Sequence, residues 1–207
     1  MNSRFIAALV SLSATLAYAG ESAIDLTNAG MPAQCAAFGA KVSSSEGNWG
    51  SINQFGCLGA FQFCPGTFQQ YYSGSAQSFL DDPKAQVAAW TSYEQSEWTK
   101  AQSNGLTSLI GTQVCTGGSC FTVSQSSILM ACQFGCGANG KLANFAKGGD
   151  CTASNVLDGN GVSVCSYLQR GAGYDASCFT RQTADCFPGS SNSAATPAPG
   201  AADATTQ

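Results

Sequence analysis

The chain has 207 residues, 44% of them hydrophobic and only 10% charged, with 24 Gly and 11 Cys, a composition that suits one compact domain with a tail. Eight basic against 12 acidic side chains leave no basic field able to neutralise a row of phosphates, which argues against a nucleic-acid partner. Histidine is absent, which removes Ser-His-Asp and Cys-His mechanisms and every zinc site that needs imidazole. What remains for catalysis is mainly carboxylate and hydroxyl chemistry, with no cofactor and no metal implied.

In chain order, Met1 to Arg4 carries one positive charge, Phe5 to Leu16 is a short apolar run, and Ala17-Tyr18-Ala19 supplies a small-x-small cleavage site. Residues 1–19 therefore read as a signal peptide, with the mature chain starting near Gly20. No stretch approaches the roughly 20 apolar residues that a membrane helix needs, so no transmembrane segment is expected after cleavage. Export to the periplasm or beyond implies an oxidising compartment, where the cysteines are expected in disulfides. Their odd number leaves at least one unpaired or shared with another chain. Short loops make Cys57 with Cys64, Cys115 with Cys120, Cys151 with Cys165 and Cys178 with Cys186 local candidates. Cys132 and Cys136 would sit on consecutive turns of one helix, and longer-range partners are equally open to them.

Residues 20–34 read as an N-terminal segment ahead of a folded domain over 35–187. Pro32 can open a helix whose apolar positions Cys35, Ala36, Phe38, Gly39 and Val42 fall at helical spacing. The Gly-rich stretch from Gly47 to Phe63 suits a short hairpin or a loop. Asp81-Asp82-Pro83 starts a long helix through Val87, Trp90, Tyr93 and Trp98, and Asn104-Gly105 stops it. On that helix Trp90, Tyr93 and Trp98 read as core aromatics, and Glu94 and Glu97 as part of a solvated face. Ser124 or Ser126 can cap a third helix through Ile128, Leu129 and Met130. Gly135-Cys136-Gly137 then interrupts before a fourth around Leu142 to Ala146, and a fifth covers Val162 to Arg170. Asp158-Gly159-Asn160-Gly161 resembles the start of a calcium loop, but Gln169 stands where the bidentate Glu would be, so a turn is the better reading. Residues 188–207, rich in Ser, Ala, Pro and Thr with one charge at Asp203, cannot bury enough apolar area to order and read as a disordered tail. The expected fold class is mainly α, with a minor hairpin, in a disulfide-rich single domain.

The informative segment runs from Ser45 to Thr67. Glu46 is the only acid between Asp25 and Asp81, at a predicted helix end beside glycines and aromatics. A carboxyl set against Trp49, Phe61 or Phe63 is desolvated and its pKa raised, as a general acid near neutral pH requires. Asn48, Ser51, Asn53 and Gln62 offer neutral donors and acceptors, and the aromatics offer stacking faces, a combination that suits uncharged sugar rings. On residue types alone, an exposed Glu ending a helix is the plainer alternative.

This segment resembles the signature of the soluble lytic transglycosylases of the lysozyme-like superfamily. That signature has a catalytic Glu at a helix end, then a Ser/Asn-containing loop, then G-x-x-Q-x-x-P-x-T, matched here by Gly59-Ala60-Phe61-Gln62-Phe63-Cys64-Pro65-Gly66-Thr67. A third family motif, A-Y-N-x-G-x-G, is echoed by Ala131-Cys132-Gln133-Phe134-Gly135-Cys136-Gly137. An aromatic pair is echoed by Tyr167 and Tyr174. The resemblance implies a lysozyme-like domain that cleaves peptidoglycan at the MurNAc-GlcNAc bond. Glu46 would be the single acid/base, and Asn53, Gln62, Phe61, Gln133 and Tyr167 would bind the glycan. Gln133 stands where the family usually has Asn, and Cys132 replaces an aromatic, which hints that a disulfide has taken over part of the packing.

Hydrolytic glycosidases normally use two carboxyls. No second acid lies in the motif segment, and Asp81 and Asp82 read as helix-start residues. A one-Glu site fits the transglycosylase route, which leaves a 1,6-anhydromuramoyl end. Should the fold bring Glu94 or Glu97 across the cleft, a lysozyme- or chitinase-type hydrolase would be favoured. The other alternative is a non-catalytic exported protein that binds glycan or serves an envelope structure. Wall opening for a secretion or conjugation apparatus, wall turnover and attack on a rival cell are the settings that the resemblance admits. After loss of Arg4 the chain carries 7 basic against 12 acidic residues, about −5, which argues against electrostatic steering to anionic wall polymers.

Overall fold

A computed structural model describes residues 20–181. The expected signal peptide, Cys186 and the expected tail lie outside the described residues. Among the described residues the chain is mainly helical, with one two-stranded antiparallel sheet.

The first helix, α1 (Ala23–Asn28), begins at a capping box in which Ser22 and Asp25 satisfy each other's backbone N–H groups. It packs on α2 (Ala33–Glu46), and Leu26 and Met31 are part of the hydrophobic core. The N-terminal segment 20–34 is thus packed into the same core as the residues that follow it. In α2 the buried positions are Cys35, Ala36, Phe38, Gly39, Val42 and Ser43, the stripe that helical spacing predicts.

From Gly47 to Phe63 the chain forms a loop with isolated bridges, Ile52 to Leu58 and Leu58 to Phe63, in place of a regular hairpin. Two short helices follow, α3 (Pro65–Tyr71) and α4 (Ala76–Leu80). The long helix α5 (Pro83–Ser103) starts where the Asp82 side chain accepts from the N–H groups of Lys84 and Ala85, and it stops at Asn104. Its contacts with α3, α4, α6 (Gln125–Ala131) and α9 (Ser177–Thr180) make it the axis of the domain. Trp90 anchors that axis, with Phe61 stacked on it at 4.3 Å and Phe179 edge-on at 5.0 Å.

The sheet pairs β1 (Gln113–Thr116) with β2 (Ser119–Thr122). Its turn is Gly117-Gly118, whose positive φ values of 57° and 80° are those a tight hairpin needs and glycine supplies. Helix α6 opens at a Ser124 cap, as expected, and gives way to a 3₁₀ turn, Cys132–Phe134. Then come α7 (Lys141–Gly148) and α8 (Val164–Arg170), close to the predicted fourth and fifth helices.

Among the described residues there are five disulfides: Cys35–Cys178, Cys57–Cys64, Cys115–Cys120, Cys132–Cys136 and Cys151–Cys165. Three of the four local candidates form. Cys178 does not pair with Cys186; it reaches back across the domain to Cys35 and ties α9 to α2, at a sequence separation of 143. No helix among the described residues is long and apolar enough to cross a membrane.

A second correction concerns α5. Glu94 and Glu97 are not on a solvated face: both are buried, at 0% and 3% exposure. The reason is geometric, since residues 90, 94 and 98 lie on one helical stripe and that stripe faces the core.

Candidate functional site

Glu46 is the last residue of α2. Beyond it the chain turns through the 47–63 loop, and the loop is held from below by one buried side chain. Gln86, fully buried on the first turns of α5, accepts from the Ala60 N–H at 2.9 Å and donates to the carbonyl oxygens of Trp49 at 2.9 Å and Phe79 at 3.1 Å. Gly59 makes this approach possible: it has φ +76°, and a Cβ there would lie 2.2 Å from the Gln86 Oε1. At the entry to the loop, the Glu21 carboxylate accepts from the Trp49 N–H at 2.9 Å. The Cys57–Cys64 bond closes the arm that carries Phe61, Gln62 and Phe63.

Two concavities meet at Glu46. One, of about 290 Å³, is lined by Phe61, Phe63, Trp90, Tyr93, Gln133, Phe134 and Tyr167 together with Glu46 and Gln62. The other, of about 620 Å³, is lined by Ser44, Ser45, Asn48, Ser51, Ile52 and Asn53 with the same Glu46 and Gln62. Every residue singled out from the sequence as a glycan contact thus lines one or both, although Asn53, Phe61 and Gln62 are far in sequence from Gln133 and Tyr167. The 47–63 loop, the 3₁₀ turn after α6, and α8 bring them together, with α5 as the floor.

Among the described residues, Glu46 is the only acidic one lining either concavity. By surface area Glu46 is exposed to the open cleft, as a Glu ending a helix would be, while protein crowded on one side of its carboxyl still disfavours the charge. That burial pushes its pKa above the ordinary Glu value, opposed in part by the Arg170 guanidinium. Asp81 and Asp82 are absent from both linings; Asp82 caps α5, as its position predicts. Glu97 is occupied elsewhere, accepting from Lys100 at 2.6 Å and from the Cys136 N–H at 2.9 Å. Glu94 sits behind the wall, and its pKa is raised well above the ordinary value by burial and by the neighbouring Glu97, against the opposing effect of the Gln133 amide and the Trp90 indole.

The neutral groups have defined polarity. Gln62, at φ +50°, donates through Nε2 to the Gly59 carbonyl at 2.8 Å, and its buried Oε1 finds no partner among the described residues. The Asn53 Oδ1 is committed to the N–H groups of Phe55 and Cys57, which leaves its Nδ2 for a ligand. Tyr167 is held on several sides. Phe134 lies edge-on at 4.2 Å, the Arg170 guanidinium sits 3.8 Å from the ring centroid, and the hydroxyl donates to Asp158 Oδ2 at 3.2 Å. Asp158 itself accepts from the N–H groups of Asn160 and Val162, so the Asp158–Gly161 segment is a turn that braces the tyrosine. The expected core aromatics divide. Trp98 is buried away from the site, whereas Trp90 and Tyr93 contribute to the cleft floor.

Gln86 was not singled out from the sequence, and Glu94 was read only as part of a solvated face or as a second carboxyl that the fold could bring across the cleft. Both lie four residues from Trp90, on its own stripe, and that spacing was the available signal. Among Glu97, Cys132 and Cys136, ligand atoms lie within 4.8 Å of one another, but the two sulfurs are joined in a disulfide and offer no thiolate to a metal. Comparison of the chain with protein-family models, with curated proteins and with solved structures finds no match.

Proposed function

We propose that the protein is a peptidoglycan-cleaving lytic transglycosylase of lysozyme-like architecture, acting outside the cytoplasm, with Glu46 as its single acid/base. The observation that carries this reading is that Glu46, its pKa raised by partial desolvation of its carboxyl, is the one acid among the described residues lining two confluent concavities otherwise walled by aromatics, amides and hydroxyls. Such walls suit uncharged sugar rings, and the five disulfides suit an oxidising compartment.

In this reading the glycan lies along both concavities, so that the scissile oxygen meets Glu46 where they join. Protonated Glu46 gives its proton to the leaving glycosidic oxygen as the bond to the anomeric carbon breaks. The Glu46 carboxylate then takes the proton of the same sugar's 6-hydroxyl, whose oxygen closes onto the anomeric carbon. The products are a free hydroxyl on one fragment and a 1,6-anhydromuramoyl end on the other, and Glu46 is again protonated. No water is consumed and no second carboxyl is needed, which matches a cleft whose lining lacks Glu94 and where Glu97 is ion-paired.

Mass spectrometry of muropeptides tests this directly, after purified peptidoglycan is incubated with the oxidised protein and with Glu46→Gln. Anhydro-ended products that vanish in the variant are expected. Reducing-end products would mean a hydrolase, and no products from a folded sample would favour a glycan-binding or structural role.

A further inference from the structure

The mechanism leaves unused a buried carboxylic acid within hydrogen-bond reach of the cleft wall. Glu94 is fully buried; its Oε1 accepts from Gln133 Nε2 at 3.3 Å, and its Oε2 has no partner among the described residues. Placing such a group under a cleft is costly unless its contact is useful. One turn further along α5, Glu97 accepts from the Cys136 N–H, and Asn104 Nδ2 donates to the Cys136 carbonyl at 2.8 Å. The end of α5 therefore grips both ends of the Cys132–Cys136 turn, at Gln133 through Glu94 and at Cys136 through Glu97 and Asn104. Between those grips the turn presents Gln133 and Phe134 to the concavity that Glu46 shares.

We propose that Glu94 is a positioning residue that fixes the Gln133 amide, holding Nε2 toward the interior so that Oε1 faces the ligand as an acceptor. The proposal rests on the glycan reading above and deepens it. The Gln133 Oε1 then faces the cleft as a carbonyl acceptor, which selects ring substituents that donate: sugar hydroxyls and the N–H of an acetamido group. It disfavours carboxylates, which only accept.

The test separates orientation from binding. In the ligand-free protein, the side-chain NH₂ protons of Gln133, observed by ¹⁵N-resolved NMR, are expected to be shifted from free-amide values and slowed in solvent exchange. That signature should persist in Glu94→Gln, which keeps a carbonyl acceptor, and collapse in Glu94→Leu. Affinity for an N-acetylglucosamine tetramer, followed by calorimetry, should fall about five- to tenfold in Glu94→Leu, as for one lost hydrogen bond, and change less than about twofold in Glu94→Gln. The double variant Glu94→Leu/Gln133→Ala should bind no more weakly than Gln133→Ala alone.

Free-amide behaviour of Gln133 in the wild type overturns the proposal with no variant required, so a Leu variant that fails to fold does not shield it. Additive losses in the double variant overturn it as well. A wild type that binds no sugar while the Gln133 signature depends on Glu94 would instead overturn the glycan reading and leave the positioning role standing.

Discussion

Replacing Gln86 with Leu tests whether the 47–63 loop is hung on α5 by one side chain. Leucine fills a similar volume but can neither donate nor accept. The Phe79 carbonyl keeps a partner, because the Asp82 N–H also donates to it at 3.2 Å, whereas the Ala60 N–H and the Trp49 carbonyl lose the bonds that Gln86 provides. Each buried backbone group left unpaired costs about 1–3 kcal/mol, so the penalty is about 2–6 kcal/mol before the apolar gain of a buried leucine offsets part of it. A net loss of about 2–4 kcal/mol is a large share of the 5–15 kcal/mol typical of a whole domain. The damage is expected to be local. The loop between Trp49 and Ala60 should loosen while the Phe38, Trp90 and Phe179 cluster stays packed, so hydrogen exchange at the Ala60 amide should accelerate far more than at the Ile128 and Leu129 amides on α6. Urea unfolding gives the global figure and exchange gives the local one, with muropeptide release as the functional readout. A variant within about 0.5 kcal/mol of wild type with Ala60 still protected would refute the reasoning, and would mean that the Cys57–Cys64 bond and the Leu58 bridges hold the loop unaided.

Other perturbations bear on separate parts of the structure. Gly59→Ala puts a Cβ 2.2 Å from Gln86 Oε1 at φ +76°, so it should lower stability by about 2 kcal/mol or more in urea unfolding, and its effect should be sub-additive with Gln86→Leu because both break the same contact. Removing the Cys35–Cys178 bond with a double Ala variant opens a loop of 143 residues and should cost up to about 5 kcal/mol on chain-entropy grounds, against about 2 for Cys115–Cys120; equal losses in urea unfolding would exclude loop entropy as the cause. In the proposed mechanism cleavage needs protonated Glu46, so the rate should fall as pH rises through its raised pKa, and Arg170→Gln, which removes the opposing charge, should move that descending limb to higher pH; a pH-rate profile that stays in place would show that Arg170 does not act on Glu46. Because the pKa of Glu94 is raised on folding, its contribution to stability is complete below the ordinary Glu value and is lost as pH rises toward the folded value, by up to about 1.4 kcal/mol per pH unit, and Glu94→Gln should remove that slope from urea titrations.

How far the fold could be read from the chain depended on the range of the signals. Local chemistry was legible. Asp82-Pro83 and Asn104-Gly105 bracket α5, Ser124 caps α6, and short cysteine spacings closed three of the four loops that they suggested. A minor hairpin was expected, but its place at 113–122 was missed although Gly117-Gly118 between Cys115 and Cys120 is a compact turn signal, and α1 was missed although Ser22 and Asp25 have capping-box spacing. The Cys35–Cys178 bond was beyond reach, since it depends on α9 returning to α2, a fact of topology that no local spacing carries.

The error at Glu94 and Glu97 is more instructive, because the information was present and residue type overrode it. Glutamates are mostly exposed, and a charged pair on a long helix is ordinarily its wet face. Yet Gln86, Trp90, Glu94 and Trp98 recur every four residues, and a stripe that contains two buried tryptophans cannot turn its intervening positions to water. Polar residues on that stripe must be buried, and once buried they must be satisfied. Gln86 meets that demand by holding the 47–63 loop, and Glu97 by holding Cys136. Glu94 meets it only in part, through Gln133. Each of these contacts is a place where a loop or a short 3₁₀ turn is fixed to the longest helix among the described residues. The rule that follows is physical: a polar residue in phase with the apolar stripe of a long helix marks an attachment point for a loop, and here the attached loops are the two that wall the cleft opposite Glu46.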